Sequence, residues 1–292
     1  MDSTSTEIWI ESLDGSPLHG RRWEREGATA GIGIVHGLGD HSGRYERVAR
    51  TLGARGFLVE ALDLPGHGRS PGARGHARSW QEYRDAMTSW IGRNRDARPD
   101  LPWALLGQSM GALIALDWSL ANPSAIRALV LCAPPFELAL RPSMLKVYAA
   151  QAVVRFWPRF SQGTAIAPSM LSHDPEVVRA HRSDPLVHYR MSARLFLEFQ
   201  TVRHALAHRA RDVAVPTFVV QGAADPVTRA SGTARWARAV GAGRAVYREY
   251  PGLLHEVLNE PEGPAVLEEI GRWLEGVLPR SGGDARPPAL NR

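Results

Sequence analysis

The run Trp103-Ala104-Leu105-Leu106-Gly107-Gln108-Ser109-Met110-Gly111 carries more information than any other part of the chain. Residues 103–106 read as a buried strand, and residues 110–121 read as a helix that stops at Asn122-Pro123. Between them lies G-x-S-x-G, a pattern too short to mean much without its context. Here a strand precedes it and a helix follows, so Ser109 falls on a sharp strand-to-helix turn. The backbone of such a turn is strained. The flanking Gly107 and Gly111 leave room for neighbouring segments to approach closely. The N-terminus of the following helix aims its dipole and free N–H groups at the serine.

A serine hydroxyl is a poor nucleophile near neutral pH. It needs a base, and the base needs an orienting acid. For a serine on this kind of turn the chain order is Ser, then Asp or Glu, then His. Residues 216–220 read as a strand leading into Gln221-Gly222-Ala223-Ala224-Asp225-Pro226. Asp225 therefore lies at the C-terminal end of a strand, where the sites of open α/β sheets form. Residues 245–250 form a further strand, followed by Pro251-Gly252-Leu253-Leu254-His255-Glu256, which places His255 in the loop after the last strand. The expected roles are Ser109 as nucleophile, His255 as base and Asp225 as the acid that orients it. The developing oxyanion needs two backbone N–H groups. One is expected from Met110, and the other from Leu38 in His36-Gly37-Leu38-Gly39, the loop after the strand at 31–35. This chemistry requires no metal and no organic cofactor, and none is expected. His204 and His208 have a spacing that suits metal ligands, but with no third ligand in view they read as a solvated helix face.

Outward from this centre, short apolar runs recur at 31–36, 57–62, 128–133 and 217–220, as expected for strands covered on both faces. The segments between them read as helices: 45–55, ending at Gly56; one opened by the capping box Ser79-Trp80-Gln81-Glu82 and running to about Asp96; 229–240; and 264–277. Residues 7–13 and 18–23 flank Asp14-Gly15-Ser16-Pro17 and read as a hairpin. Strands alternating with helices imply right-handed crossovers and a parallel sheet, hence an α/β fold.

That alternation breaks between about 134 and 211, a span rich in apolar and aromatic residues but without a convincing strand. Residues 144–157 are apolar almost all round, with only Lys146, Gln151 and Arg155 polar. A helix without a polar face is buried or covers something apolar. The chain therefore divides into a first part of the core, 1–134; an inserted helical cap, 135–210; a second part of the core, 211–279; and a tail, 280–292, expected to be disordered. Met144, Leu145, Val147, Tyr148, Val153, Phe156 and Trp157 are expected to line or gate an apolar site beneath this cap.

Composition narrows the alternatives. With 292 residues, 44% of them hydrophobic, a core can form without disulfides or metals. Cys132 is the single cysteine and lies in an apolar run, so it reads as an inert core thiol. The formal net charge is +5, yet arginines are interleaved with acids and form no dense block. Nucleic acid is therefore not an expected partner. Residues 1–11 are polar and acidic with no signal-peptide core, and no stretch approaches the roughly 20 apolar residues of a membrane span. The expectation is a cytoplasmic protein. Its mildly positive surface suits transient contact with anionic membranes or lipid aggregates, made through the cap. The sequence sets no oligomeric state.

Several stretches together resemble the monoacylglycerol lipase and lysophospholipase branch of the α/β-hydrolases, close to the serine-aminopeptidase-like group. They are His36-Gly37-Leu38-Gly39-Asp40-His41-Ser42-Gly43-Arg44-Tyr45, Asp63-Leu64-Pro65-Gly66-His67-Gly68-Arg69-Ser70, Gly72-Ala73-Arg74-Gly75-His76, the serine motif, Asp184-Pro185-Leu186, and the segments around Asp225 and His255. The resemblance runs from about Thr6 to Leu278 and is weakest in the cap. It implies the α/β-hydrolase fold: a mostly parallel eight-stranded sheet flanked by helices, with a mobile cap over an apolar acyl tunnel. It implies a small lipid-like ester as substrate, a glycerol or glycerophospho monoester of a fatty acid. The chain departs from the family pattern at Gln108, where many members carry His, at Ala112, where many carry Gly, and at Asp40, where Glu is frequent. Asp40 and Arg44 read as a structural ion pair under the oxyanion loop, and His67 and His76 as loop-packing residues. An aminopeptidase of this fold would need a cap carboxylate for the substrate amine, for which Glu137 and Glu198 are the candidates. A general carboxylesterase and a non-catalytic ligand receptor are further alternatives.

Overall fold

The structure, a computed structural model, describes residues 5–140, 142–241 and 243–278. The expected disordered tail lies outside the described residues. Strands β1 (Thr6–Glu11) and β2 (Pro17–Trp23) form the expected antiparallel hairpin. Gly15 turns it at φ 78°, a conformation open to glycine at no steric cost. The chain then alternates through β3 (Ala30–Val35), α1 (Glu46–Ala54), β4 (Phe57–Leu62), α2 (Gln81–Ala97), β5 (Trp103–Gln108), α3 (Met110–Ala121) and β6 (Ala128–Cys132).

After β6 come α4 (Met144–Phe156), β7 (Ser161–Gly163), α5 (Pro175–Ser183), β8 (Arg190–Ser192) and α6 (Ala193–Ala207). The alternation resumes with β9 (Thr217–Gly222), α7 (Ala230–Val240), β10 (Ala245–Tyr250) and α8 (Gly263–Val277). Eight strands form one sheet in the order β1-β2-β4-β3-β5-β6-β9-β10. From β4 to β10 every pairing is parallel, and only β2, antiparallel to both β1 and β4, runs against the rest of the sheet.

Side chains alternate across this sheet. Ile32, Ile34, Val59 and Ala61 face a layer built from α1 and α8. Val35, Leu58, Leu62 and Leu105 face the layer of α2, α3 and α7. The strands are buried at both faces, which is why they read as unbroken apolar runs. The register brings the C-terminal ends of the parallel strands to one edge. Val35 pairs with Gly107, Gln108 with Cys132, Cys132 with Val220, and Gly222 with Tyr250. The loops leaving this edge carry Leu38, Ser109, Asp225 and His255.

Two expectations are corrected. The span after β6 does contain strands: β7 and β8 pair antiparallel, three residues each, too short to show a period in sequence. The expected Ser79 capping box does not form. Helix α2 is capped at Trp80 without a side-chain bond, and the Glu82 carboxylate accepts instead from the Arg78 amide at 3.1 Å. No helix among the described residues is long and apolar enough to cross a membrane. Cys132 is fully buried, and burial pushes its thiol up to about 12.

Candidate active site

Ser109 stands between β5 and α3 with φ 53° and ψ −119°, a strained conformation for a residue with a side chain. Its neighbours make the turn possible. A Cβ on Gly107 would lie 2.5 Å from the Gly111 carbonyl oxygen, and one on Gly111 would lie 2.1 Å from that of Val35. Only glycine fits either place.

The Ser109 hydroxyl lies 2.9 Å from His255 Nε2, and His255 Nδ1 lies 2.8 Å from Asp225 Oδ2. An ionised carboxylate can only accept, so Nδ1 carries the proton and the Nε2 lone pair faces Ser109. The three residues thus form one hydrogen-bonded chain across 146 positions of sequence. His255 is fully buried, which by itself would lower its pKa. The charge of Asp225 and the bond to it outweigh this and raise the pKa above the ordinary value of 6.5. Burial likewise would raise Asp225, but the His255 ring and the bonds from His255 and Thr228 hold the carboxyl below its usual range.

Leu38 and Met110 line the same cavity as Ser109. Met110 opens α3, so its N–H has no helical carbonyl to bond. The Leu38 amide donates no backbone hydrogen bond among the described residues. The loop holding Leu38 is fixed from below. His36 donates from Nδ1 to the Gly37 carbonyl at 2.7 Å and accepts from the Leu64 amide at Nε2. Asp40 pairs with Arg44 at 3.0 Å and accepts from the Tyr45 hydroxyl. Arg44 also forks onto Glu256, next to His255, at 3.1 and 2.7 Å. This buried cluster ties the Leu38 loop to the His255 loop. Burial would raise Asp40, but Arg44 holds its carboxyl down at about 2. His67 donates to the Pro65 carbonyl within its own loop, and His76 bonds the Ser192 hydroxyl at the start of α6. His204 and His208 lie at the end of α6, His204 beside the Arg203 guanidinium.

Above Ser109 opens a cavity of about 410 Å³. Its walls are mostly apolar, with Leu138, Ile166, Met191, Phe196, Phe199 and Val227 among them, and Lys146, Gln162 and Thr164 add polar groups. Of the seven cap residues expected to line it, the structure places only Val153 there. Met144, Leu145, Tyr148, Phe156 and Trp157 point to solvent, with Phe156 86% and Leu145 78% exposed, and Val147 lies half-buried away from the cavity. The reason is the helix period. Lys146, Ala149, Ala150 and Val153, spaced three and four apart, form the cavity wall, and the large residues occupy the opposite face. The small Ala149 and Ala150 on the inner face leave space that larger side chains would fill. The lining residues that sequence reasoning missed sit mainly on α6 and around β7 and β8. Phe196 and Phe199, three apart on one helical face, were the available signal.

Residues 27–262 match the family described as serine aminopeptidase, S33. The chain is 32% identical over 280 residues to a monoacylglycerol lipase of Mycolicibacterium smegmatis, covering 95% of this chain and 100% of that protein. It is 32% identical over 259 residues to phospholipase YtpA of Bacillus subtilis, covering 88% of this chain and 99% of that protein. The crystal structure of a monoacylglycerol lipase from Paleococcus ferrophilus superposes with a TM-score of 0.81 at 29% identity, covering 88% of this chain and 98% of that one. With its mostly parallel eight-stranded sheet and flanking helices the fold is that of the α/β-hydrolases. The chain belongs to the serine aminopeptidase S33 family of hydrolases.

Proposed function

We propose that the protein is a serine carboxylic-ester hydrolase that cleaves monoacylglycerols to fatty acid and glycerol through Ser109, His255 and Asp225. The observation that carries the reading is a hydrogen-bonded Ser109–His255–Asp225 chain opening into a cavity that is mostly apolar, with Lys146, Gln162 and Thr164 among its few polar lining residues. In the first step His255 Nε2 takes the Ser109 proton as Oγ attacks the ester carbonyl. The oxyanion is stabilised by the Leu38 and Met110 amides, and Asp225 stabilises the imidazolium. The C–O bond to glycerol breaks, and His255 gives its proton to the departing alcohol. In the second step His255 deprotonates water, which attacks the acyl-enzyme. The tetrahedral intermediate collapses to free fatty acid, and Ser109 regains its proton.

A monoacylglycerol fits this arrangement because one long apolar chain must be desolvated beside a single ester carbonyl. The relatives named monoacylglycerol lipase support the same substrate class. Phospholipase YtpA supports a lysophospholipid as the second reading. Aminopeptidase activity finds less support. Glu137 pairs with Arg235 at 2.8 Å, Glu198 accepts from the Trp80 amide, and neither lines the cavity. The outward face of α4 carries Leu145, Tyr148 and Phe156. It supports a cap that rests on a lipid surface while its inner face covers the acyl chain.

The test is hydrolysis of a matched panel by the purified protein: monoacylglycerols of graded chain length, a lysophospholipid, short nitrophenyl esters and an aminoacyl anilide. Preferred turnover of monoacylglycerols is expected. Turnover of the anilide alone would overturn the ester reading.

A further inference from the structure

The Asp225 carboxylate meets more than His255. Its Oδ2 accepts from His255 Nδ1 at 2.8 Å, from the Thr228 hydroxyl at 2.6 Å and from Gln221 Nε2 at 2.9 Å. Its Oδ1 accepts from the backbone amides of Val227 and Thr228 at 2.7 and 3.0 Å. Thr228, Gln221 and Thr233 are completely buried, so water does not compete for these bonds.

The chain of bonds has one direction. A hydroxyl has a single proton, and at 2.6 Å the carboxylate takes that of Thr228. The Thr228 oxygen is left to accept from Gln221 Nε2 at 3.1 Å, a group that also reaches the Gly222 carbonyl at 3.2 Å. At the other end of the Gln221 amide the Thr233 hydroxyl, which also reaches the Pro134 carbonyl at 3.5 Å, donates to Oε1 at 2.9 Å. A flipped amide would turn Oε1 against the negative Oδ2. Asp225 and the Gly222 carbonyl, which can only accept, therefore orient the Gln221 amide, and Gln221 and Thr228 together grip the one carboxylate oxygen that faces His255.

We propose that Thr228 and Gln221 are positioning residues for the Asp225–His255 pair. They stop the carboxylate from rotating, which keeps the imidazole proton on Nδ1 and the Nε2 lone pair on Ser109. The two backbone amides alone would leave Oδ2 free to swing away from the ring plane. This proposal rests on the reading of Ser109, His255 and Asp225 as one catalytic unit. Neither residue touches substrate, since neither lines the cavity.

Thr228→Val keeps the shape of the side chain and deletes the hydroxyl. Thr228→Ser restores the hydroxyl alone, and Gln221→Met removes the second grip. The measurements are kcat and KM on a monoacylglycerol, the melting temperature, and the low-field proton NMR signal of His255 Nδ1–H. Losing a hydrogen bond to a charged group that acts in the transition state lowers kcat by roughly 10–100-fold. Thr228→Val and Gln221→Met should show such a loss with KM little changed and with the low-field signal moved or broadened, and Thr228→Ser should recover both. Parental kcat and an unmoved signal in Thr228→Val would overturn the proposal. So would equal losses in the Val and Ser variants that track melting temperature and leave the signal in place. Ser109→Ala separates the two layers. If it keeps full turnover, the catalytic reading itself fails; if it is inactive while Thr228→Val is normal, only the positioning role fails.

Discussion

The ionisation of His255 is set by burial and by Asp225. Burial works against the imidazolium, and Asp225 works for it with greater effect, so the pKa stands above 6.5. Only the neutral ring can take the Ser109 proton. A raised pKa therefore moves the acid limb of kcat/KM upward, and activity is lost as pH falls through that raised value. The profile on a soluble short-chain ester should have its acid midpoint above about 6.5, the free histidine value. Asp225, with its carboxyl held low, stays ionised throughout this range and adds no second limb. An activity constant down to about pH 4, near the carboxylate range, would contradict a histidine base. Ser109, Asp225 and His255 were singled out in sequence because Ser109 directly follows a buried strand and the other two lie in the loops that leave the last two strands. The grip of Gln221 and Thr228 on Asp225 was not, since a buried hydrogen-bond network between loop residues leaves no periodic trace.

The elements differ in how openly they declare themselves. Strands β4 and β10 coincide with the runs read from sequence, residue for residue, and α3 does the same. Strands β7 and β8 were invisible, because three residues cannot display alternation. Helix α4 was located correctly but read from the wrong side. A helix apolar all round gives no indication of which face meets the protein, and the larger side chains proved to be the outer ones. The chain-length limit should therefore follow the inner faces of α6 and β8 and not the aromatic residues of α4. Substituting Ala149→Trp or Met191→Trp, both on the cavity wall, should shift the preference toward shorter monoacylglycerols by filling the cavity. Tyr148→Ala and Phe156→Ala should leave chain-length preference on dispersed substrate unchanged. A kinetic series over acyl chains of increasing length checks both. A preference that moved with Phe156 and ignored Met191 would place the acyl chain elsewhere.

The whole chain assembles one chemical apparatus from distant pieces. The sheet brings the ends of β3, β5, β9 and β10 to one edge, and the loops leaving them carry the four parts of the proposed machinery: the Leu38 amide, Ser109, Asp225 and His255. The buried Asp40–Arg44–Glu256 cluster joins the first of these loops to the last. The elements between β6 and β9 close the cavity over them. In the proposed account all of this serves one covalent event, acylation of Ser109. That event is tested most directly by mixing the protein with a long-chain nitrophenyl ester, quenching within the first turnovers, and locating the acyl group by peptide mass spectrometry. The account predicts a burst of nitrophenol, an acyl adduct on the peptide that carries Ser109, and, in Ser109→Ala, no adduct with turnover lowered by roughly 10⁴–10⁶ by analogy with other triads. Ester turnover that persists in Ser109→Ala, or an adduct found on another residue, would contradict it.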